Sequence, residues 1–381
     1  MINQKLFEAV RELANEKELS NEDIEDIIKI SLQTAYKKDH PNGLCIVEAN
    51  AENCSLVIND VKKVVEELPT EEVELEEGEI NYPLITLEEA KKIKARCKVG
   101  DIIKTSVNFT DFSRSAIQAT KSILMQNIKT KQRKQAYEHF SQLQGEMITA
   151  VVSNVLERGV MLDLGFNVQS FLPQSEVYDN EDLIIGDKIR VYISSVEEDT
   201  KGPKIRVSRK DKKLVERLLE KYIPEIKDGT IIIKGLARDP GDRSKVAVYS
   251  ENPDVDAIGA CVGEAGNRIK QIVSDLGGEK IDLYKWSDDP VELVSNSLQP
   301  ASVTKVLEVN KEEKTSKVVV PDEHLSLAIG KQGQNVRLAV QSCGYKIDIM
   351  PTSEAFDQGL LITEDTRKKW KQEKKSKELV L

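Results

Sequence analysis

Apolar residues recur at helical spacing from the start of the chain, with Leu6, Val10 and Leu13 on one face of residues 3–16 and Ile24, Ile27, Ile28 and Tyr36 on one face of the next segment. Ser20 and Asp23 form a capping pair that opens this second helix, and His40-Pro-Asn-Gly ends it. The pattern then shortens to strand-like runs, LCIVEA from Leu44 and SLVIND from Ser55, joined by an Asn-rich turn over 50–53. An acidic stretch from Glu66 to Glu79 reads as a solvated face or loop. A helix from Leu87, a strand from Asp101 to Phe109 and a long helix from Asp111 to about Phe140 follow. The long helix carries Ile117, Leu124 and Ile128 on one side, then turns polar and basic through Lys129, Lys131, Arg133 and Lys134, the pattern of a connector that leaves a core and projects between domains.

From Gly145 the period becomes two. MITAVVSNVL, GVMLDLG, VQSFLPQSEV, DKIRVYISSV and PKIRVSRK read as five strands, with Gly159, Gly165 and Gly186 at the corners of a small closed barrel of the OB type. A basic run follows, Lys201, Lys204, Arg206, Arg209, Lys210, Lys212, Lys213 and Arg217, which reads either as a phosphate track or as a solvated helix face.

The chain then repeats itself. In HLSLAIGKQGQNVRLAVQSCGYKIDI, apolar Leu327, Ala328 and Ile329 run into Gly330, Gly333 follows, and a second helical periodicity begins at Val336: helix, tight turn, helix. In GACVGEAGNRIKQIVSDLGGEKIDL, Gly263 and Gly266 occupy the equivalent places 67 residues upstream, and Gly278, Lys280, Ile281 and Asp282 fall on Gly344, Lys346, Ile347 and Asp348 after one deletion. Repetition of glycines, helix face and closing strand together marks an architectural unit. Two glycines so spaced let a phosphodiester lie flush against the backbone, and the amides opening the next helix point at the same place. A helix C-cap followed by a turn gives the same spacing when it stands alone.

The formal charge of −10 argues against a protein that coats nucleic acid indiscriminately, so any phosphate contact is local. With 31% charged and 39% hydrophobic residues, 381 residues suit three or four small domains better than one compact enzyme. Cys45, Cys54, Cys97, Cys261 and Cys343 lack CxxC pairing and read as buried, reduced thiols, and His40, His139 and His324 stand apart, so neither a metal site nor a cofactor is expected. The sequence has neither a run long enough to cross a bilayer nor the apolar core of a signal peptide, and the expected location is cytoplasmic.

The paired loops resemble the GxxG clamps of KH domains, which grip about four nucleotides of single-stranded RNA. The five-strand region resembles an S1 RNA-binding domain, in which exposed aromatics stack bases; Phe166, Phe171 and Tyr178 are the candidates, with core packing the alternative for each and most evenly balanced for Phe171. From Gly100 to about Pro351, including DFSRSAIQATKSIL, GLARDPGDRSKVAVYSENPDVDAIGACVG and WSDDPVELVSNSLQPA, the chain resembles the NusA family of bacterial transcription termination/antitermination factors, and residues 1–99 match its amino-terminal domain in element order.

That resemblance implies a multidomain α+β chain: an α/β N-terminal RNA polymerase-binding domain with connector helix (1–143), an S1/OB-type barrel (144–211), two tandem KH domains of the bacterial type (212–288 and 289–351) and a short charged tail (352–381), without the acidic repeats of some members. It implies RNA polymerase, nascent single-stranded RNA and other Nus-type antitermination factors as partners, and a monomer is the default. Candidate RNA contacts are Gly263, Gly266, Arg268 and Lys270 in the first KH repeat, Gly330, Lys331, Gln332, Gly333, Gln334 and Arg337 in the second, and Arg209, Lys210 and Lys212 in the basic run. The first loop departs from its relatives in carrying Glu264. S1 and KH modules also serve RNA-processing enzymes and ribosome-associated binders, but a catalytic constellation is not visible in this sequence.

Overall fold

The computed structural model describes residues 7–8, 10–12, 19–67, 81–179, 181–199 and 202–361. Leu6, Leu13, most of the acidic stretch, Lys201 and the lysine-rich tail from Lys368 to Lys377 lie outside the described residues. The chain divides into two compact units, residues 1–139 with 198–203, and residues 140–197 with 204–381.

In the first unit, helix α1 (Asn21–Asp39) starts at Ser20, whose hydroxyl accepts the Asp23 amide as the capping pair predicts, and ends at His40. It lies on a four-stranded sheet in which β2 (Ser55–Val65) pairs antiparallel with β1 (Cys45–Asn50) and β4 (Ile102–Ser106) and parallel with β3 (Leu84–Thr86), which runs into helix α2 (Leu87–Ile93). Ile24, Ile27, Ile28 and Leu32 pack with Val47, Leu56 and Ile58, each such side chain contributing about 1.5–3 kcal/mol on burial.

The long helix α3 (Arg114–Gln142) buries Ala116, Leu124 and Ile128 in the same core, while Ile117, expected on the packed face, is 37% exposed. Its basic half does not simply leave the core. Lys131 pairs with Asp23 at 2.8 Å, holding that carboxyl below its ordinary value, and Ala136 is buried. Small Ala116, Ala119 and Thr120 are also buried on this helix.

In the second unit, five strands run in the order β7-β6-β5-β8-β9 (Val168–Pro173, Gly159–Gly165, Met147–Leu156, Lys188–Glu197, Lys204–Ser208), all antiparallel. The sheet curls until its edge strands meet, where the Ser170 hydroxyl of β7 donates to the Ile205 carbonyl of β9 at 2.6 Å.

Two copies of one motif follow. Helix α4 (Lys212–Tyr222), β10 (Ile232–Asp239), β11 (Arg243–Tyr249), helix α5 (Ala257–Val262), a glycine loop, helix α6 (Asn267–Asp275) and β12 (Lys280–Lys285) make the first. Helix α7 (Pro290–Ser297), β13 (Lys305–Asn310), β14 (Thr315–Val320), helix α8 (Leu325–Ile329), a second loop, helix α9 (Gln334–Cys343) and β15 (Lys346–Pro351) make the second. In both, an antiparallel pair carries a bulge near the same place, between Ile233 and Gly235 and between Val306 and Glu308, and the last strand joins parallel to the middle one. Helix α10 (Thr352–Asp357) lies where the sequence suggested only a tail, its buried Ala355 packed with Val319 and Met350.

The repeats are packed on each other. Gly235 of β10 passes so close to α9 that a Cβ there would sit 2.1 Å from the Ser342 carbonyl oxygen. Tyr284 donates to Ser342 at 2.9 Å, and the buried Lys245 ammonium donates to the Ser297 and Gln299 carbonyls at 2.8 and 2.6 Å. Burial pushes Lys245 down to about 8, against the pull of the Asp282 carboxylate.

Candidate nucleic-acid interface

The two glycine loops have nearly the same backbone. Gly263 and Gly330 end their helices at φ 71° and 76°, and Gly266 and Gly333 open the next ones at φ 75° and 73°. Between them Ala265 and Gln332 both sit at φ 52°, a left-handed conformation that costs an L-residue free energy and is held by its surroundings. Neither α6 nor α9 has a side-chain cap; the first amide of each, Asn267 and Gln334, donates to the Glu264 and Lys331 carbonyls, and the dipole of each helix favours an anion at this end.

Beside the first loop lies an open groove of about 680 Å3. Its apolar lining is Ile258, Val262, Ile269, Ile281 and Leu283, with Asn296 and Gln299 on the wall that leads into the second repeat and Gly266 and Lys270 at the rim. A strand held at the loop would have its bases over this apolar floor. Sequence reading did not single out these residues as a binding surface. The available signal was the repeat itself, because each has an apolar partner in the second copy: Leu325, Ile329, Val336, Ile347 and Ile349.

The candidate cations divide. Lys331 and Gln332 are exposed at the tip of the second loop. Gln334 and Arg337 turn to the first repeat: Gln334 donates to Asp239 and Asp242 at 2.8 and 2.7 Å, and Arg337 pairs with Asp239 at 2.7 Å while staying half exposed. In the first repeat, Arg268 is committed beneath the loop, bonded to Glu225 at 2.8 Å and to the Ala260 carbonyl at 2.6 Å. Lys270 donates to the Ala265 carbonyl at 2.9 Å, and Glu264 stands exposed.

On the barrel, Phe166 and Phe171 are exposed at 50% and 42%, consistent with stacking surfaces. Phe166 also meets Phe140 edge-on, with ring centroids 6.1 Å apart. Tyr178 and Arg209 are corrections to the expected RNA contacts, for they are 2% and 1% exposed. Arg209 pairs with Glu181, donates to the Arg190 carbonyl at 2.8 Å and lies over the Tyr178 ring at 4.5 Å. The Tyr178 hydroxyl donates to the Arg209 carbonyl at 2.9 Å and accepts from Arg238, which itself forms a buried pair with Glu279 at 2.8 Å. Burial raises the pKa of both Tyr178 and Glu181. These residues join the barrel to the first repeat. Sequence alone shows an aromatic and a cation and does not tell which face they take. Lys210, half-buried, pairs with Asp179 at 3.6 Å, and Lys212 is exposed at the start of α4.

Known proteins place this architecture. Family models match residues 5–134 as NusA N-terminal domain, 142–209 as S1 RNA binding domain, 209–286 as NusA-like first KH domain and 290–356 as NusA-like second KH domain. The transcription termination/antitermination protein NusA of Halalkalibacterium halodurans is 43% identical over 361 residues, covering 94% of this chain and 91% of that one. The chain belongs to the NusA family. The Bacillus subtilis member is 40% identical, with 94% of each chain covered, and the Thermus thermophilus member 38% identical, with 91% and 89% covered. Among the described residues, no group of three or more His, Cys, Asp or Glu could hold a metal, and no helix is long and apolar enough to cross a membrane.

Proposed function

We propose that the chain is a cytoplasmic, non-catalytic transcription elongation factor. Its N-terminal unit engages RNA polymerase and its S1 and KH modules hold nascent single-stranded RNA, modulating pausing, intrinsic termination and antitermination, with other Nus-type factors as further partners. The observation that carries this reading is the pair of uncapped GxxG loops with matching left-handed residues, one of them opening onto an apolar groove and both in one unit with an S1 barrel.

Two features support a protein partner for the first unit. It has no equivalent of the clamps among its described residues, and Ile30, Ile93, Val99 and Ile102 are each about half exposed. The test is capture of the full chain on immobilised RNA polymerase, competed by residues 1–140 or by single-stranded RNA. Displacement by the fragment and not by RNA is expected. A fragment that binds RNA tightly and leaves polymerase alone overturns the assignment.

A further inference from the structure

The basic run found in the sequence reaches a second cleft, away from either glycine loop. Lys212 at the start of α4, Lys234 of β10, Trp286 just after β12 and Gln341 and Gly344 at the end of α9 line an open cavity of about 410 Å3, within the ~300–1,000 Å3 typical of small-ligand sites. It lies where the first residues after the barrel, the sheet of the first KH repeat and the end of the second repeat's helix meet. Lys212 and Lys234 are exposed, and neither pairs with a carboxylate among the described residues; Lys234 stands 5.3 Å from the Tyr249 ring centroid. Trp286 is half-buried, its indole N–H directed to Asp288 at 3.3 Å. Glu216, one turn beyond Lys212, adds a carboxylate to the lining.

We propose that this cleft is an additional binding site for one nucleotide of single-stranded RNA, with the base on Trp286 and the flanking phosphates on Lys212 and Lys234. Two exposed cations and a half-buried aromatic in one lining match the chemistry of a nucleotide, which alternates anion and π-face. Glu216 and Gln341 also line the cleft, where the carboxylate disfavours a phosphate beside it and can accept from a base N–H. The inference rests on the RNA-binding reading above and adds a contact to it.

The test is fluorescence anisotropy of the full chain with labelled A and U homopolymers of about 16 nucleotides, longer than the ~4 that one KH module grips. Lys212→Glu with Lys234→Glu is expected to weaken binding of the A oligomer about tenfold and to lower the salt slope by about 1.4, two contacts at ~0.7 each. Trp286→Ala is expected to cost at least about fivefold, the low end of base stacking, and Trp286→Phe to restore most of it. Lys331→Asp with Gln332→Asp serves as the parallel probe of the glycine loop. If the loop variant weakens binding while the lysine pair and Trp286 variants bind within about twofold of the parent, the cleft is not a nucleotide site. If none of the variants weakens binding, the RNA-binding reading falls with it. The lysines are exposed, so their variant decides the matter even if Trp286→Ala lowers the thermal midpoint.

Discussion

Gly263–Gly266 and Gly330–Gly333 are the same backbone used with different side chains. In the second loop, Lys331 and Gln332 face solvent and Asn335 fills the space beneath, bonding the Leu298 and Ala328 carbonyls. In the first, Arg268 fills the equivalent space, Glu225 takes its charge, and the tip carries Glu264. Backbone geometry is set by the glycine spacing and the helix that follows. The charge offered to a phosphate is set by residues free to vary around it.

The largest expected effect is on stability. A Cβ at Gly330 would lie 2.7 Å from the Asn335 amide nitrogen and 2.9 Å from its Cβ, while one at Gly263 would meet the Arg268 Cγ at 2.7 Å. A flexible side chain can move and a helix backbone cannot, so beyond the ~1–3 kcal/mol of positive-φ strain common to both, Gly330→Ala should lose about 2 kcal/mol more than Gly263→Ala. Urea unfolding of the full chain measures this, and equal midpoints would show the two loops to be cushioned alike.

Affinity comes next. A charge about 6 Å from a phosphate is worth about 0.7 kcal/mol in bulk-like solvent, so Lys331→Asp with Gln332→Asp, a change of three charge units, should weaken single-stranded RNA binding by up to about thirtyfold. The same pair of aspartates at Glu264 and Ala265 should cost about threefold or less, one negative charge being there already. Similar losses in anisotropy titrations would remove the distinction between the loops. The smallest effect is a gain: Glu264→Lys should tighten binding about threefold at moderate salt and steepen the salt slope by a fraction of ~0.7. Unchanged affinity at low salt would make the first loop a helix junction that does not meet RNA.

Much of this was legible from residue order. Periodicity gave the capped helix over Asn21–Asp39, alternation gave the five barrel strands, and the internal repeat gave both loops with their positive-φ glycines. What escaped was the facing of side chains whose chemistry suits two environments. Tyr178 and Arg209 have the composition of an RNA-binding surface, yet they lie inside a network with Arg238, 60 residues beyond Tyr178, and Glu279, a further 41 along the chain, for which sequence spacing gives no hint. Arg268, Gln334 and Arg337 were likewise drawn into contacts with carboxylates remote in sequence. Conversely, Ile258, Ile269 and Ile281 were not singled out, because an apolar groove floor and a buried layer have the same sequence pattern.

The close approach of Gly235 to Ser342 bears on how such a chain can be inherited. Ala247 and Tyr284 of the first repeat share one apolar cluster with Leu293, Cys343, Tyr345 and Ile347 of the second, so each KH repeat supplies part of the other's interior. The two copies descend from one plan, but neither can be exchanged for a KH domain from elsewhere without leaving an apolar face in water. They are a duplicated motif that has become a single unit of selection, and substitutions at this seam must be compensated on the opposite side of it.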